Sequence, residues 1–487
     1  MASFSKAGVK WRSSPSFATL VVGLGVACDL LVYSIAIPVL PFRLEALGYT
    51  KVSSLSGWLV FAFSGGLVLS TLPIAMFSEH YQLRRLPLIF GLVVLLGSQI
   101  MFMEAPTYWL MVLARVLQGI SSSMVWIVGL AMLCDTVNEK NIGRQIGIAM
   151  IGLSLGLVIG PPVGGVLYSR FGWRGPFIFG ICVTFVDLLL RILFIERSDA
   201  IKMGYDPAAL PESEDAEASP ETNTEKPSAE TELTRKSIEK ATKASPDATE
   251  TSSNAAINVI NPPIAPGQSL SLISVIGKLA QSSRALVALI IIFAQGAVYT
   301  CQEPTIPLRL QDVWNLNSSK VGVVFLAGVL PMLLSSPITG WWADKHGTEW
   351  VTFLSLVLSL PFWPLLIIRG HLAAFIAGFA LETFFMSGVV PPVTAELAAV
   401  SRSIEGVGYA HVYGAFNLAY GIGNAVGPIV GGQMYDHIER GWLAICLLCL
   451  GVLAIGMILS FFFVGEVPLF KRFLGLRRKN TQTTSED

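Results

Sequence analysis

Twelve stretches of mostly apolar residues run through this chain, each close to the roughly 20 residues a helix needs to cross the hydrocarbon core of a bilayer. They fall at 17–41, 55–78, 86–104, 107–133, 145–169, 173–196, 284–307, 318–340, 349–368, 372–397, 407–432 and 441–465. In hydrocarbon every backbone polar group must be satisfied internally, so these runs are helices or nothing. The expected fold class is an all-α membrane protein with twelve transmembrane helices, six on each side of a polar middle segment.

Composition agrees, with 53% hydrophobic and 14% charged residues. Lys plus Arg equals Asp plus Glu at 33 each, so net charge selects no partner. The charges are segregated, and they divide the chain into a tail (1–16), a first six-helix half (17–196), a linker (197–283), a second half (284–465) and a second tail (466–487). The linker is rich in Glu, Ser, Thr, Pro and Ala, and most of it has too little apolar surface to offset its chain entropy, so disorder is expected. If the first tail faces the cytoplasm, that side collects 23 Lys and Arg against 8 opposite. The positive-inside rule then places both termini and the linker in the cytoplasm. The basic, polar start of the chain lacks a cleavage pattern, and the first apolar run reads as a retained span. Six cysteines in or beside apolar runs form no metal-ligand pattern and read as small buried residues.

The halves echo each other. "GLVIGPPVGG" (156–165) and "GNAVGPIVGG" (423–432) share the pattern G-x-x-x-G-P-x-x-G-G in the fifth span of each half. The first contributes Gly156, Gly160, Pro161, Pro162, Gly164 and Gly165; the second contributes Gly423, Gly427, Pro428, Gly431 and Gly432. Glycines on one face let backbones approach closely, and prolines remove backbone donors and bend a helix. A bend and sliding surface between the halves is expected. "SEHYQLRR" (78–85) after the second span is answered by "ADKHGTEW" (343–350) after the eighth. Such internal repeats mark a transporter architecture that handles substrate near the midplane.

Ionisable residues inside spans are functional candidates by default. They are Asp29, Arg115, Asp187, Arg191, Glu303, Glu382 and Glu396. Asp187 and Arg191 stand i, i+4 and can pair on one helix face, chiefly a structural role. Asp29 and Glu303 lie in the first span of each half, each followed by prolines. A carboxyl there can take a proton from one side and give it to the other as a cavity opens, so these two lead the candidates for proton coupling. Arg115 is expected to bond a carbonyl or carboxylate, with structural and substrate-facing roles both open. Glu382 and Glu396 are scaffold or proton sites. Tyr33, Trp58, Trp126, Tyr299, Tyr413 and Tyr420 are candidate cavity aromatics, and Tyr413 and Asn417 stand out by their i, i+4 spacing beside the doubled motif.

There is no G-x-x-x-x-G-K-[ST], no H-E-x-x-H, no convincing Ser/His/Asp set and no nucleic-acid module. The expectation is no enzyme activity, no catalytic residue, no metal and no cofactor beyond a proton gradient. Expected partners are a small-molecule substrate, protons and the lipid bilayer, with no nucleic acid and a monomeric chain.

These motifs resemble the major facilitator superfamily, in particular its twelve-span drug:proton antiporters, which include fungal efflux pumps. The fifth-span pattern is similar to that group's antiporter motif and "ARVLQG" (114–119) to its arginine motif. Gly340, Asp344, Lys345 and Gly347 fit the superfamily's cytoplasmic loop motif. The matching loop in the first half keeps its basic end, Arg84 and Arg85, but has Ala75, Glu79 and His80 at other motif positions. Within the group the chain resembles vesicular monoamine and acetylcholine transporters. Asp29 with Pro38 and Pro41, "LARVLQGISSS", "QEPTIP" (302–307) and "YGAFNLAYGIGNAVGP" (413–428) carry that likeness. It implies the major facilitator fold and places Asp29, Glu303 and Arg115 at matching charged positions. Three other charged positions of those transporters are altered here, at Ser64, Ala398 and Asn417, which weakens amine specificity.

The expected function is a proton-coupled exporter, an antiporter of small organic molecules such as drugs, toxins or secondary metabolites, at the plasma membrane. The alternatives are an organic-acid exporter or exchanger using Arg115, a vesicular or vacuolar amine/proton exchanger, and a non-transporting membrane sensor.

Overall fold

A computed structural model describes residues 8–81, 84–137, 142–207, 277–279, 281–404 and 409–474. Most of the expected linker lies outside the described residues, as do the outer parts of both tails. The described residues are helical throughout, joined by short turns.

Among the described residues, eleven helices are long and apolar enough to span a bilayer. In the first half they are α1 (Pro15–Ala36), α2 (Val52–Ser78), α3 (Arg85–Glu104), α4 (Tyr108–Thr136), α5 (Gln145–Phe171) and α6 (Arg174–Lys202). In the second half they are α7 (Ser283–Trp314), α8 (Ser318–His346), α9 (Thr348–Ile367), α10 (Leu372–Val400) and α12 (Gly441–Phe463). The twelfth long helix is α11 (Tyr409–His437). It is the least apolar, because Asn417, Asn424, Tyr420 and many glycines interrupt it. All twelve expected spans are present, their bounds mostly displaced by a few residues.

The expected linker does not begin cleanly at 197. Arg197 forms a two-pronged pair with Asp206 at 2.9 and 3.0 Å, and its Nη1 donates to the Asp135 carbonyl. The chain leaving α6 is thus tied to the end of α4.

α1 and α7 are interrupted at the same place in their halves. α1 stops at Ala36 and a short helix, Leu40–Ala46, resumes beyond Pro38. α7 is open from Gln302 to Thr305 and resumes at Ile306. Pro38-x-x-Pro41 and Pro304-x-x-Pro307 lie at these breaks, where proline withholds backbone donors. In that register Tyr33 corresponds to Tyr299, Ser34 to Thr300 and Arg43 to Arg309, a constant offset of 266. Asp29 then corresponds to Gln295, and Glu303 to Ile37. The two leading acids sit on matching helices at unmatched depths: Asp29 lies two turns before its break, Glu303 inside its own.

We call the end of the bundle holding Pro15 the near end and the opposite end the far end. The glycine–proline motifs use two faces. Gly160 lies on α1, where an added Cβ would sit 1.9 Å from Ser34 Oγ. This is contact within one half. Gly165, on another face of α5, meets the start of α8: a Cβ there would lie 2.2 Å from the Ser318 carbonyl oxygen. In α11, Gly427 faces Thr300 of α7, while Gly432 meets Ser53 of α2, where a Cβ would lie 2.5 Å from the carbonyl oxygen. Each motif therefore joins its helix to its own half by one face and to the other half by the next. The expected sliding surface is only the second of these.

Hydrogen bonds between the halves gather at the far end. Ser54 N donates to Asp436 at 2.6 Å, Gln311 to Glu45 at 2.9 Å, and Ser318 Oγ to the Gly165 carbonyl at 3.2 Å. A buried cluster at that end, including Leu40, Leu44, Leu59, Phe102, Trp173 and Leu308, packs beside them.

Candidate functional site

Asp29 is 2% exposed and faces α4. Its Oδ2 accepts hydrogen bonds from Ser122 Oγ at 2.7 Å and Trp126 Nε1 at 3.0 Å. Ser122 and Trp126 are i, i+4, so one helix face supplies both donors. Oδ1 has no hydrogen-bond partner. Among the described residues no arginine pairs with Asp29. Arg115 lies seven residues before Ser122, about 10 Å along the axis towards the far end.

Arg115 is buried, and its direct contacts are neutral. Its Nη1 donates to Gln118 Oε1 at 3.1 Å, and the guanidinium stands 4.6 Å from the Phe102 ring centre. The expected carbonyl or carboxylate partner is replaced by an amide and an aromatic face. Its positive charge acts on Tyr33 and Glu303.

Glu303 occupies the open segment of α7, where the helix ladder does not fix its direction. Tyr33 Oη of α1 donates to Glu303 Oε2 at 2.5 Å, joining the two halves inside the bundle. The Tyr33 ring packs against Phe63 of α2, with centroids 4.8 Å apart. Tyr33 is one turn beyond Asp29 on α1, so the order along the bundle is Asp29, Tyr33, Glu303. Tyr299 and Tyr420 lie within range of the Glu303 charge.

Glu382 of α10 is fully buried. The Gln302 amide lies beside its carboxyl but without the alignment of a full hydrogen bond. Neighbouring residues of the α7 break thus face two different acids: Gln302 faces Glu382, and Glu303 faces Tyr33.

Other candidates lie elsewhere. Glu396 is at the near end, where it accepts from Arg284 at 2.8 Å, Thr348 at 2.7 Å and the Gly465 backbone at 2.9 Å. It ties α7, α9, α10 and the segment after α12 together, remote from Asp29 and Glu303. Asn417 is exposed on α11, and the Tyr413 side chain is outside the described residues. Trp58 is 42% exposed and lines none of this. Asp187 and Arg191 do pair, at 3.5 Å, fully buried. Gly25 makes room for them, since a Cβ there would lie 2.1 Å from Arg191 Nη2.

The loop-motif residues are near-end fasteners. Arg84 Nε pairs with Asp135 at 2.9 Å, and Nη1 donates to Ser78 Oγ at 2.6 Å. Arg85 donates to the Ile192 carbonyl at 2.5 Å. In the second half, Lys345 stands 4.1 Å above the Trp341 ring, Asp344 is exposed, and Gly347 ends α8 with φ of 91°, a conformation that favours glycine. Gly340 follows Thr339 on α8 and has only Pro391 near its Cβ position, at 3.7 Å.

Ser122, Gln118 and Gln302 were not picked out from sequence as site residues. The signal for Ser122 was available: a run of three serines, 121–123, inside an apolar span.

Two six-helix halves with matched breaks, motif helices shared between them and buried acids at their junction describe a membrane transporter. The Major Facilitator Superfamily model matches residues 22–247 and 288–485, and the chain belongs to that family. It is 26% identical over 486 residues to the MFS-type transporter ppzB of Metarhizium rileyi, covering 94% of this chain and 96% of that one. It is 25% identical over 366 residues to the human chromaffin granule amine transporter, covering 74% of this chain and 56% of that one. Among solved structures, a bacterial homolog of the human lysosomal transporter Spinster, inward-facing and unoccupied, superposes with a TM-score of 0.62 at 12% identity. That match covers 92% of this chain and 94% of the other, and shows the shared fold.

Proposed function

We propose that the chain is a proton-coupled exporter that exchanges protons for small organic molecules by rocking one half against the other. The observation that supports this most directly is the Tyr33–Glu303 hydrogen bond, a buried bond between halves that ends on a titratable group. A carboxylate accepts such a bond strongly. Proton uptake at Glu303 removes the charge and weakens the tie, so protonation and separation of the far end are linked through one contact. Asp29, a turn deeper, holds a buried Oδ1 with no hydrogen-bond partner among the described residues, a place for a proton. The distribution of Lys and Arg favours the near end as cytoplasmic. Export across the plasma membrane by a monomer then follows as the working picture.

The test is flux in proteoliposomes under an imposed pH gradient, with a panel of organic cations, neutral compounds and acids. Gradient-driven flux that is lost in Asp29→Asn and Glu303→Gln, with both variants folded in the membrane, is the expected result. Unchanged coupled flux in both variants removes these acids from the mechanism.

A second reading is amine/proton exchange at an internal membrane. It is favoured by the Trp126 indole beside the Asp29 carboxylate, its Nε1 donating to Oδ2 at 3.0 Å, because an aromatic ring next to a carboxylate suits an ammonium group. The likeness to a chromaffin granule amine transporter points the same way. Selective flux of amines in the same panel distinguishes it.

A further inference from the structure

The far end of the second half contains a cavity of about 560 Å³ that the transport site does not use. Its walls come from the continuation of α7 beyond its break, the α9–α10 turn, the end of α11 and the first turn of α12. We propose that this cavity binds an organic anion, a carboxylate or phosphate carried on an apolar body.

The charged part of the wall is built for an anion. Arg309 is 5% exposed, donates Nη2 to the Ile367 carbonyl at 3.1 Å, and stands 5.7 Å from the Trp442 ring centre. Its buried Nε has no hydrogen-bond partner among the described residues, and the side chain lines the cavity. Arg369 and Arg440 line the same space, are exposed, and have no ion-pair partner among the described residues. The 23-residue helix α12 begins here at Gly441, so its first free N–H groups add to the positive field. Two acids share the wall. Asp312 is already engaged, accepting from Tyr435 Oη at 2.8 Å, and Glu439 is exposed. Three guanidinium groups face two carboxylates.

The rest of the wall suits an apolar body. Val313, Ile367, Leu443 and the Trp442 ring surround the charged groups. The indole is fixed by its Nε1 bond to the Leu366 carbonyl at 2.8 Å. The volume lies in the range of small-molecule sites.

The first half provides the contrast. It has the same arginine-on-tryptophan contact, Arg43 over Trp173 at 5.2 Å. There the arginine next to the tryptophan, Arg174, is neutralised by Glu104 at 2.6 Å. The arginine-on-tryptophan scaffold repeats, but Arg440, two residues before Trp442, has no counterpart of the Arg174–Glu104 pair among the described residues. This inference stands apart from the reading of Asp29 and Glu303.

The anion can be a free solute or the headgroup of an anionic lipid. The test is calorimetric titration of the full chain in lipid-free maltoside micelles at low salt. Naphthoate is the probe, and naphthylmethylammonium is the control of like shape. Saturable naphthoate binding, absent for the ammonium, is expected. The double variant Arg369→Gln/Arg440→Gln should weaken it by at least about tenfold, since each lost guanidinium removes a charge-assisted bond, with the melting temperature unchanged. Arg369→Gln alone serves if the double variant is unstable. No saturable naphthoate binding, equal affinity in the variant, or equal binding of the ammonium overturns the proposal. Repeating the titration in nanodiscs assigns the source. Binding lost in phosphatidylglycerol but kept in phosphatidylcholine identifies a lipid headgroup; binding kept in both identifies a free solute.

Discussion

Tyr33 of α1 and Glu303 of α7 share a 2.5 Å hydrogen bond although 270 residues separate them. Each belongs to a different half, and each stands beside or within the break of its helix. A bond to a carboxylate contributes about 1.5–3 kcal/mol, enough to shift a two-state balance by about ten- to a hundredfold. Tyr33→Phe should therefore lower the population closed at the far end. Spin labels at Leu47 and Asn317 would report it as a longer or broader distance distribution. An unchanged distribution would show that the far-end contacts alone keep the halves together.

Gly165 and Gly432 make the paired backbone contacts that close the far end. Added methyl groups there should cost about 1–3 kcal/mol in the closed form. Gly165→Ala and Gly432→Ala should each lower transport and open the same labelled distance. Gly97→Ala in α3, where a Cβ meets nothing within 4 Å, should be neutral or stabilising by up to about 1 kcal/mol. Equal behaviour of all three variants would refute the close-contact argument.

Glu396 joins four segments through three donors, one of them a guanidinium. Removing one partner of a buried ion pair typically costs about 3–5 kcal/mol. Glu396→Ala should lower melting temperature and membrane yield sharply, while transport per folded molecule keeps its pH dependence. A stable variant with altered coupling would return Glu396 to the transport site.

Glu382 is the opposite case, buried with no well-formed hydrogen bond. Glu382→Gln removes an ionisable group from hydrocarbon surroundings and keeps the shape. It should leave the melting temperature unchanged or raise it, whereas Glu382→Ala should lower it by leaving a cavity. A marked loss of stability in Glu382→Gln would show that the carboxyl has partners the Gln302 contact does not represent.

The spans were legible because hydropathy and length suffice to mark a helix in a bilayer. Repeat symmetry was legible because the glycine–proline pattern occurs twice in matching helices. The limits of that reading are physical too. The sequence places prolines after both acids, but only the fold shows the helix breaks and the register in which Asp29 matches Gln295 and Glu303 matches Ile37. Partners across helices left no trace of pairing in the sequence, so Ser122 and Gln302 went unrecognised. Glu396 looked like Glu382 because both are acids in the tenth span. Their difference is depth: one lies at the end of the bundle among donors, the other among apolar side chains.

The contacts that close the far end are glycine against carbonyl: Gly165 on Ser318, Gly432 on Ser53. Main chain meets main chain, so these surfaces do not depend on the identity of any side chain that faces the interior. Interior side chains can be exchanged while these two backbone contacts keep their shape. In engineering terms the chain is a chassis whose joint is main chain: exchange of Asp29 or Arg115 leaves both glycine contacts uncut, whereas Glu303 also carries the Tyr33 tie.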